Sequence, residues 1–583
     1  TIAGDGSTTS TVLAKELLSS TANPEELATK YVNTQHEIIN TKVALEGARQ
    51  IIMENFAENP NLLQIVREYF WQNGFLHSTN ANARKNKQKK YTDYRNFVQA
   101  IKEVSEQQLI TIFAGRTESY LKINLSLPEN LNYGTNKLVE FFKIDQNIVI
   151  KSAWLRKVIA DTWTLKLFPK AEVETLNKLR DIASAALIKA TINHFRQLLF
   201  IPPAGQKTIM GLIPNSKTTV ALAIISTDGT LIEHCMLSPV GIQGDWYQSL
   251  AHIARLIIKH DISLISIANT PGFREIERLI RELITTYPDI TLSYNKIDSY
   301  GLLEFAEGKT AKTEFPNIAS LPRAAISLAR RSQDHLAEIA KLDLNTLPLS
   351  QYSFCKNKLE KALQLTLQDC ICAVGVNLNA ASWHVLRHIP GLNSDLAKKI
   401  VNHRTNNGYF KNLTELEELC AKNELQQAVN FLYIPKNENY RDSRGDFQLP
   451  KINQQINLLK DLQQGLELEG VVSKITNYGV FVDIGIYQEG LIRKTTLADE
   501  TTSKLKLGTV VKVQVIDINK TKKRFNLTLK NNNLSTLKPN SKPHKVSERI
   551  DKHKTKPKFT NNKLVFNTAM ADALAKLREG DER

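Results

Sequence analysis

Alternating apolar and polar positions near the carboxyl end of the chain predict a barrel of short strands. In VFVDI (480–484), Val480 and Val482 fall on one face and Phe481 on the other, because side chains alternate along a strand. The runs VVKVQV (510–515) and RFNLTL (524–529) alternate in the same way. Glycines separate these runs, as is typical of small all-β barrels. The pattern therefore predicts an OB-fold barrel over residues 462–531.

The predicted outer face of this barrel combines aromatic rings with cations. Residues 504–530 hold eight Lys or Arg and one acid, Asp517. Rings that stack bases and cations that hold phosphates are how OB-type barrels bind single strands. The alternative is that Phe481 covers a neighbouring apolar patch and that the lysines only promote solubility.

The barrel segment resembles the S-one domain, the RNA-binding domain repeated in the largest protein of the bacterial small ribosomal subunit. By that resemblance, Tyr478, Phe481 and Arg524 occupy nucleic-acid-contact positions. Arg493 stands where that family usually has His, which keeps a donor but changes the stacking surface. We expect unpaired RNA bases to stack on the two rings, with three cations nearby: Arg493, Lys512 and Arg524.

A second nucleic-acid signal is LRHIPGLNSDLAKKIVNHRTNNGYF (386–410), which predicts a helix, a tight turn and a second helix. Pro390 and Gly391 make the turn, and Asn393 or Ser394 caps the second helix. A glycine at this point lets the exposed amides of the helix start approach a phosphate. The segment resembles a helix-hairpin-helix motif, which grips a duplex or single-stranded backbone without reading bases; the alternative is an ordinary helical hairpin. The candidate contacts are Gly391, Asn393, Ser394, Lys398, Lys399 and Arg404.

The remaining patterns divide the chain into further parts. Strands and helices alternate after Lys207, which indicates an α/β domain, whereas the segments before and after it are helical. We predict a multi-domain protein of α, α/β and β-barrel parts. Its boundaries are a helical scaffold (1–206), an α/β domain (207–335), a hairpin domain (336–436), a linker (437–461), the barrel (462–531) and a basic, largely disordered tail (532–583).

Composition restricts the class of binding partner and the cellular compartment that we expect. The chain has 583 residues and a net charge of +17, which favours a polyanionic partner such as nucleic acid. The five cysteines show no C-x-x-C spacing, so we expect neither a metal site nor any cofactor. No apolar run reaches membrane-spanning length, and no signal peptide is visible, so a cytoplasmic protein without a membrane partner is expected. The sequence begins at Thr1 rather than Met, so we expect its native beginning to be missing.

The order of these parts resembles the Tex family of bacterial transcription accessory proteins. The matching segments include TKVALEGARQIIMENFAENP, AISLARRSQDHLAEIAKLD, QDCICAVGVNLNAAS and PGLNSDLAKKIV, together with the barrel. That resemblance implies a YqgF-type, RNase-H-like α/β domain, helix-hairpin-helix repeats and RNA and DNA binding linked to transcription. The family's N-terminal helix-turn-helix region has no counterpart, and its helical insertion before the barrel is reduced to a short connection.

The α/β domain departs from related nucleases in its acids. Such enzymes hold divalent metals with carboxylates that activate water. On the opening strand, Ile213 stands at the position where the first metal-binding aspartate is expected. The position of the second metal-binding carboxylate falls near Ser299. Asp334 could match a third, although a solvated or capping role suits it better. We therefore predict no catalysis.

The function expected from the sequence is RNA and DNA binding by a transcription accessory factor that is not an enzyme. Two alternatives stay open. One is a structure-specific nuclease that uses the RNase-H-like domain, and the other is a ribosome-associated RNA-binding protein acting in translation. RNA polymerase and the ribosome are thus both candidate partners.

Overall fold

The computed structural model divides the chain into two compact units. The first comprises residues 1–189 and 351–356, and the second comprises residues 190–350 and 357–583. Each unit is described by itself. The residues that the structure describes are 6–32, 38–81, 89–128, 133–144, 146–215, 219–239, 245–344, 354–419, 426–434, 442–450, 456, 459–476, 478–486, 488–497, 505–519 and 524–530. The predicted tail (532–583) and much of the predicted linker lie outside them.

The first unit is mainly helical, as its apolar periodicity predicts. Asn59 caps a helix that begins at Pro60, which has no amide hydrogen to lose at that position. Three antiparallel strands form a small sheet in the order β2-β1-β3. The elements are α1 (Gly6–Ser19), α2 (Pro24–Thr29), α3 (Thr41–Glu58), α4 (Pro60–Asn73), β1 (Phe75–Asn80), β2 (Asn96–Ala100), α5 (Glu106–Thr117), β3 (Leu121–Ser126), α6 (Tyr133–Phe141), α7 (Gln146–Lys151), α8 (Ala153–Asp161) and α9 (Phe168–Leu199).

The second unit begins with the α/β domain, a five-stranded sheet in the order β6-β5-β4-β7-β8. Strands β4, β5 and β6 are antiparallel, and β7 and β8 run parallel to β4. Helices α10 and α11 share one core with one sheet face, and α14 packs on the other. The elements are β4 (Ile209–Asn215), β5 (Thr219–Ile225), β6 (Leu231–Leu237), α10 (Trp246–His260), β7 (Leu264–Ala268), α11 (Phe273–Thr286), β8 (Ser293–Ile297), α12 (Leu302–Glu307), α13 (Lys309–Glu314), α14 (Ser320–Gln333) and α15 (His335–Ile339).

Helix α14 runs antiparallel to β4 and lies very close to it. A Cβ atom on Gly211 would lie 2.3 Å from the carbonyl oxygen of Ala325, so only glycine fits at this contact. At the end of α14, Gln333 donates to the carbonyls of Lys207 and Ser226, which lie before β4 and after β5. The end of α14 therefore lies over the start of β4.

The hairpin domain follows as α16 (Lys356–Val374), β9 (Val376–Asn377), α17 (Trp383–Leu386), α18 (Ser394–Asn407) and β10 (Leu432–Tyr433), with β9 and β10 paired in parallel. Cys370 is buried within α16 and Cys372 is partly exposed. Both are free thiols, and no group of metal-ligating side chains occurs within the described ranges.

The barrel is closed, with strand order β11-β12-β13-β15-β14. Its strands are β11 (Glu467–Thr476), β12 (Gly479–Asp483), β13 (Gly490–Arg493), β14 (Val510–Asn519) and β15 (Arg524–Leu529). Val480, Val482, Val513 and Leu527 are almost fully buried in its core, as the alternation predicts. The predicted fold class is confirmed: helical parts, an α/β domain, a hairpin and an OB-like barrel.

Part of the stretch assigned to a linker packs firmly instead. Arg444 is buried, and its guanidinium binds Asp334 through two hydrogen bonds and also binds Asp442. Phe447 and Leu449 pack against the core under α14. Within the described segments, no helix is both apolar enough and long enough to cross a bilayer.

Candidate nucleic-acid interface

The barrel presents an aromatic pair on its outer face. Phe481 lies on β12 and is partly exposed, and the Tyr478 ring in the preceding turn is 38% exposed. Their ring centroids are 5.9 Å apart and their planes are 88° apart, which is an edge-to-face pair. Neither ring is sealed beneath other side chains.

Hydrogen bonds shape the turn that carries Tyr478. The buried hydroxyl of Thr476 donates to the carbonyl of Gly479 at 2.7 Å, and the amide of Lys494 donates to the carbonyl of Tyr478 at 2.9 Å. A Cβ atom on Gly479 would lie 2.2 Å from the carbonyl oxygen of Ile492, so this strand start requires glycine. The local sequence therefore holds the tyrosine at a defined place beside Phe481.

Two cations adjoin this pair. Arg493 lies opposite Gly479 in the register of β12 and β13, so its exposed side chain leaves the barrel on the same face as Phe481. Lys474 lies directly opposite Phe481 on β11. Sequence reasoning missed Lys474 because a register shift between Val472 and Lys474 changes which residues of β11 face outward.

The other two predicted barrel cations lie farther away. Lys512 is on β14, beyond β11, and its ammonium lies 4.0 Å from the carboxylate of Glu469. Arg524 begins β15 and is exposed, two residues before Asn526, which pairs with Leu491. The structure thus groups Arg493 with the rings and separates Lys512 from them, and a phosphate contact by Lys512 or Arg524 stays a prediction.

The hairpin forms at the predicted turn. Gly391 has φ of 87°, a backbone conformation that favours glycine. Asn393 is the cap of α18, and its side chain accepts a hydrogen bond from the amide of Leu396 at 2.8 Å. The amides of Ser394 and Asp395 have no acceptor within the described residues, so they remain available to a phosphate.

The cations of the hairpin divide into two groups. Lys398 and Lys399 are exposed on α18. Arg404 instead braces the hairpin, because its Nη1 donates to the carbonyls of Leu378 and Ala381 at 2.9 and 3.0 Å. Burial lowers the pKa of the Arg404 guanidinium. The structure gives this residue a packing role and offers no support for the phosphate contact that the sequence suggested.

Trp383, in the hairpin domain, is another residue that the sequence did not reveal. The ammonium of Lys398 lies 5.0 Å from its ring centroid, and the guanidinium of Arg387 lies 5.6 Å from it. These are cation–π distances. The indole therefore holds one of the two exposed hairpin lysines beside a second cation.

At the carboxyl-terminal edge of the α/β sheet, neutral side chains occupy the two positions where metal-binding acids are expected. Ile213 is 4% exposed near the end of β4, and the hydroxyl of Ser299 donates to the carbonyl of Asn269 at 3.2 Å. Asp334 lies at the end of α14, over the opposite end of β4. Its carboxylate caps α15 through the amide of Ala337 and binds Arg444. The capping role is confirmed, and Asp334 cannot join Ile213 in one metal site.

Comparison with known proteins identifies the family. Four family models match the chain: "Tex central region-like" over residues 19–190, "Tex protein YqgF-like domain" over 207–333, "Helix-hairpin-helix motif" over 372–432 and "S1 RNA binding domain" over 461–530. The "Transcriptional accessory protein Tex" of Neisseria gonorrhoeae is 30% identical, across 95% of this chain and 82% of that protein. The chain belongs to the Tex family.

Two further relatives match this chain over a similar share of its length. "Protein tex" of Bordetella pertussis is 29% identical across 97% of this chain and 82% of its own length. "Protein YhgF" of Escherichia coli is 28% identical across 95% of this chain and 81% of its own length. The resemblance to the Tex family that the sequence motifs suggested is therefore confirmed.

Proposed function

We propose that this Tex-family chain binds single-stranded RNA through its barrel and a nucleic-acid backbone through its hairpin, without catalysis. The observation that carries the proposal is the accessible Tyr478–Phe481 pair with Arg493 on the same face. Each base stacked on an aromatic side chain contributes about 1–3 kcal/mol, whatever its identity. The barrel would then bind many RNA sequences with similar affinity.

The hairpin supplies a different kind of contact. Its free amides at Ser394 and Asp395 and its exposed lysines suit phosphate oxygens rather than base edges. Phosphates are common to RNA and DNA, so DNA binding is part of the proposal. Together the two surfaces would hold unpaired bases at one site and a backbone at the other.

The role in transcription is inferred from the family. A relative bears the name "Transcriptional accessory protein Tex", and the binding surfaces suit a factor that contacts nascent RNA and nearby DNA in the cytoplasm. We propose RNA polymerase as the associated machine. Co-purification on polymerase but not on ribosomes would support this assignment, whereas sedimentation with ribosomes would favour the role in translation.

The test of RNA binding removes both rings from the barrel. The variant Y478A/F481A should bind a labelled polyuridine RNA at least about tenfold more weakly than the unchanged chain, because two stacking surfaces are lost. Fluorescence anisotropy of the labelled RNA measures this. Tyr247 on α10 is 76% exposed and belongs to the α/β domain rather than to the barrel or the hairpin, so Y247A is the matched control and should bind normally. Equal affinity of Y478A/F481A and Y247A would refute the assignment.

A further inference from the structure

One acid lies on the proposed RNA-binding face of the barrel. Asp483 is two residues from Phe481 on β12, so the two side chains leave the strand on the same side. Both are partly exposed. A carboxylate about 7 Å from a ring that stacks bases would repel the phosphates of the bound strand.

The α/β domain neutralises this acid. The Nζ atom of Lys296, on β8, lies 3.4 Å from Oδ2 of Asp483. The other oxygen, Oδ1, accepts a hydrogen bond from the amide of Gly485 at 2.9 Å. Each carboxylate oxygen thus has its own partner, and the negative charge faces a lysine of another domain.

Two arginines of α11 hold the barrel in this position. Arg281 donates to the carbonyl of Gly485 at 2.7 Å, and Arg274 donates to the carbonyl of Ile486 at 2.5 Å. The buried carboxylate of Glu277 binds both arginines. The loop after β12 is therefore bound to the α/β domain through its backbone carbonyls. These hydrogen bonds do not involve the Asp483 carboxylate.

A residue of the barrel and a residue of the α/β domain both influence one buried histidine, His194. Lys474, the neighbour of Phe481, acts electrostatically on His194 of α9, and so does Asp298, which follows β8. Burial lowers the pKa of His194, Asp298 opposes the shift and Lys474 adds to it.

We propose that the α/β domain, in place of catalysis, makes the barrel competent for RNA by neutralising Asp483 with Lys296. Lys296 is a positioning residue in this scheme: it acts through Asp483 and does not itself hold the RNA. The inference rests on the proposed function and gives the α/β domain a part in it. RNA affinity then depends on the contact between the two domains.

A double-mutant cycle in the full chain tests the proposal. K296A should weaken binding of labelled polyuridine RNA roughly three- to tenfold, because one uncompensated charge now faces the strand. D483N should bind as tightly as the unchanged chain or more tightly. K296A/D483N should recover the affinity of D483N, since the carboxylate that Lys296 neutralises is then absent.

The matched control removes a lysine from an ion pair elsewhere in the same domain. Lys259 lies 2.8 Å from Glu233 of β6, at the opposite edge of the sheet from β8, and K259A should leave RNA affinity unchanged. The proposal fails if K296A binds like K259A. It also fails if the loss in K296A persists in K296A/D483N, because Lys296 would then contact a phosphate directly. If Y478A/F481A binds normally, the proposed RNA site itself is wrong, and this outcome is separate from either of the others.

Discussion

At the scale of single residues, the two rings of the barrel are held by backbone geometry rather than by side-chain packing alone. Tyr478 lies in a turn shaped by Thr476 and Gly479, and Phe481 lies on a strand whose alternate residues are buried. In the proposed function, a base that stacks on them would meet surfaces already in place. Little side-chain entropy would then be lost on binding, which favours affinity.

Arg444 shows how much one residue can contribute to joining distant segments. Its side chain is 3% exposed and pairs with Asp334 at 2.7 Å and with Asp442 at 2.7 Å. Hydrogen bonds to the two carboxylates raise the pKa of Arg444 against the effect of burial, so the group remains charged. Removing it would leave two carboxylates facing each other without a cation.

We predict that R444A lowers the free energy of unfolding by about 3 kcal/mol, the usual cost of removing one partner from a buried ion pair. Differential scanning calorimetry of the full chain measures the change as a lower transition temperature. Arg67, whose pair with Glu174 is on the surface, provides the control: R67A should cost less than about 1 kcal/mol. An R444A chain as stable as R67A would show that the 442–450 segment is held by other contacts.

At the scale of elements, alternation along a strand predicts the buried residues more sharply than periodicity along a helix does. The inward residues of the barrel strands follow directly from alternation, because each strand has one buried and one wet face. In α3 the apolar Val43 is 43% exposed, whereas Ala44 beside it is buried. Helix periodicity leaves the edges of an apolar stripe undefined, and packing partners decide them.

The start of α18 is the element to which we assign backbone binding in the hairpin. Its free amides and the exposed Lys398 and Lys399 would attract phosphates irrespective of base sequence. Arg404, one turn farther along, is turned inward by two carbonyls that lie far away in sequence. The motif indicated the helix start correctly, whereas the role of the third cation depended on a tertiary contact.

We predict that K398A/K399A weakens binding of duplex and single-stranded DNA to a similar degree for different sequences. The slope of log affinity against log salt should fall by roughly two, because two phosphate contacts are lost. Nitrocellulose filter binding over a salt series measures both. K309A/K312A, which removes two exposed lysines from α13, is the control and should keep the original slope. A slope unchanged in K398A/K399A would exclude these lysines from the site.

At the scale of the whole molecule, the sheet edge and the last helix of the α/β domain argue against cleavage. Ile213, Asn269 and Ser299 supply no carboxylate side chains, and Asp334 lies at the other end of β4. Two-metal hydrolysis needs several carboxylates converging on one point. The first two acids that follow β8 in the sequence are Asp298 and Glu304.

We therefore predict that the chain cleaves neither RNA nor branched DNA in Mg²⁺ or Mn²⁺. Denaturing gel electrophoresis of end-labelled substrates after prolonged incubation measures this. Should cleavage appear, D298N/E304Q decides its origin: activity lost in that variant would contradict the prediction, because the site would then reside in this domain.

The sequence alone determined the order of domains, the barrel alternation, the hairpin turn and the loss of the acid on the first strand. These features depend on local periodicity and on residue chemistry at fixed spacing, which are readable along the chain. Tertiary structure decided which cations meet the rings, that Arg404 turns inward, that Arg444 anchors the 442–450 segment and that Lys296 meets Asp483. The last three of these contacts join residues 23 to 187 positions apart, and only the packing of whole elements brings such residues within hydrogen-bonding distance.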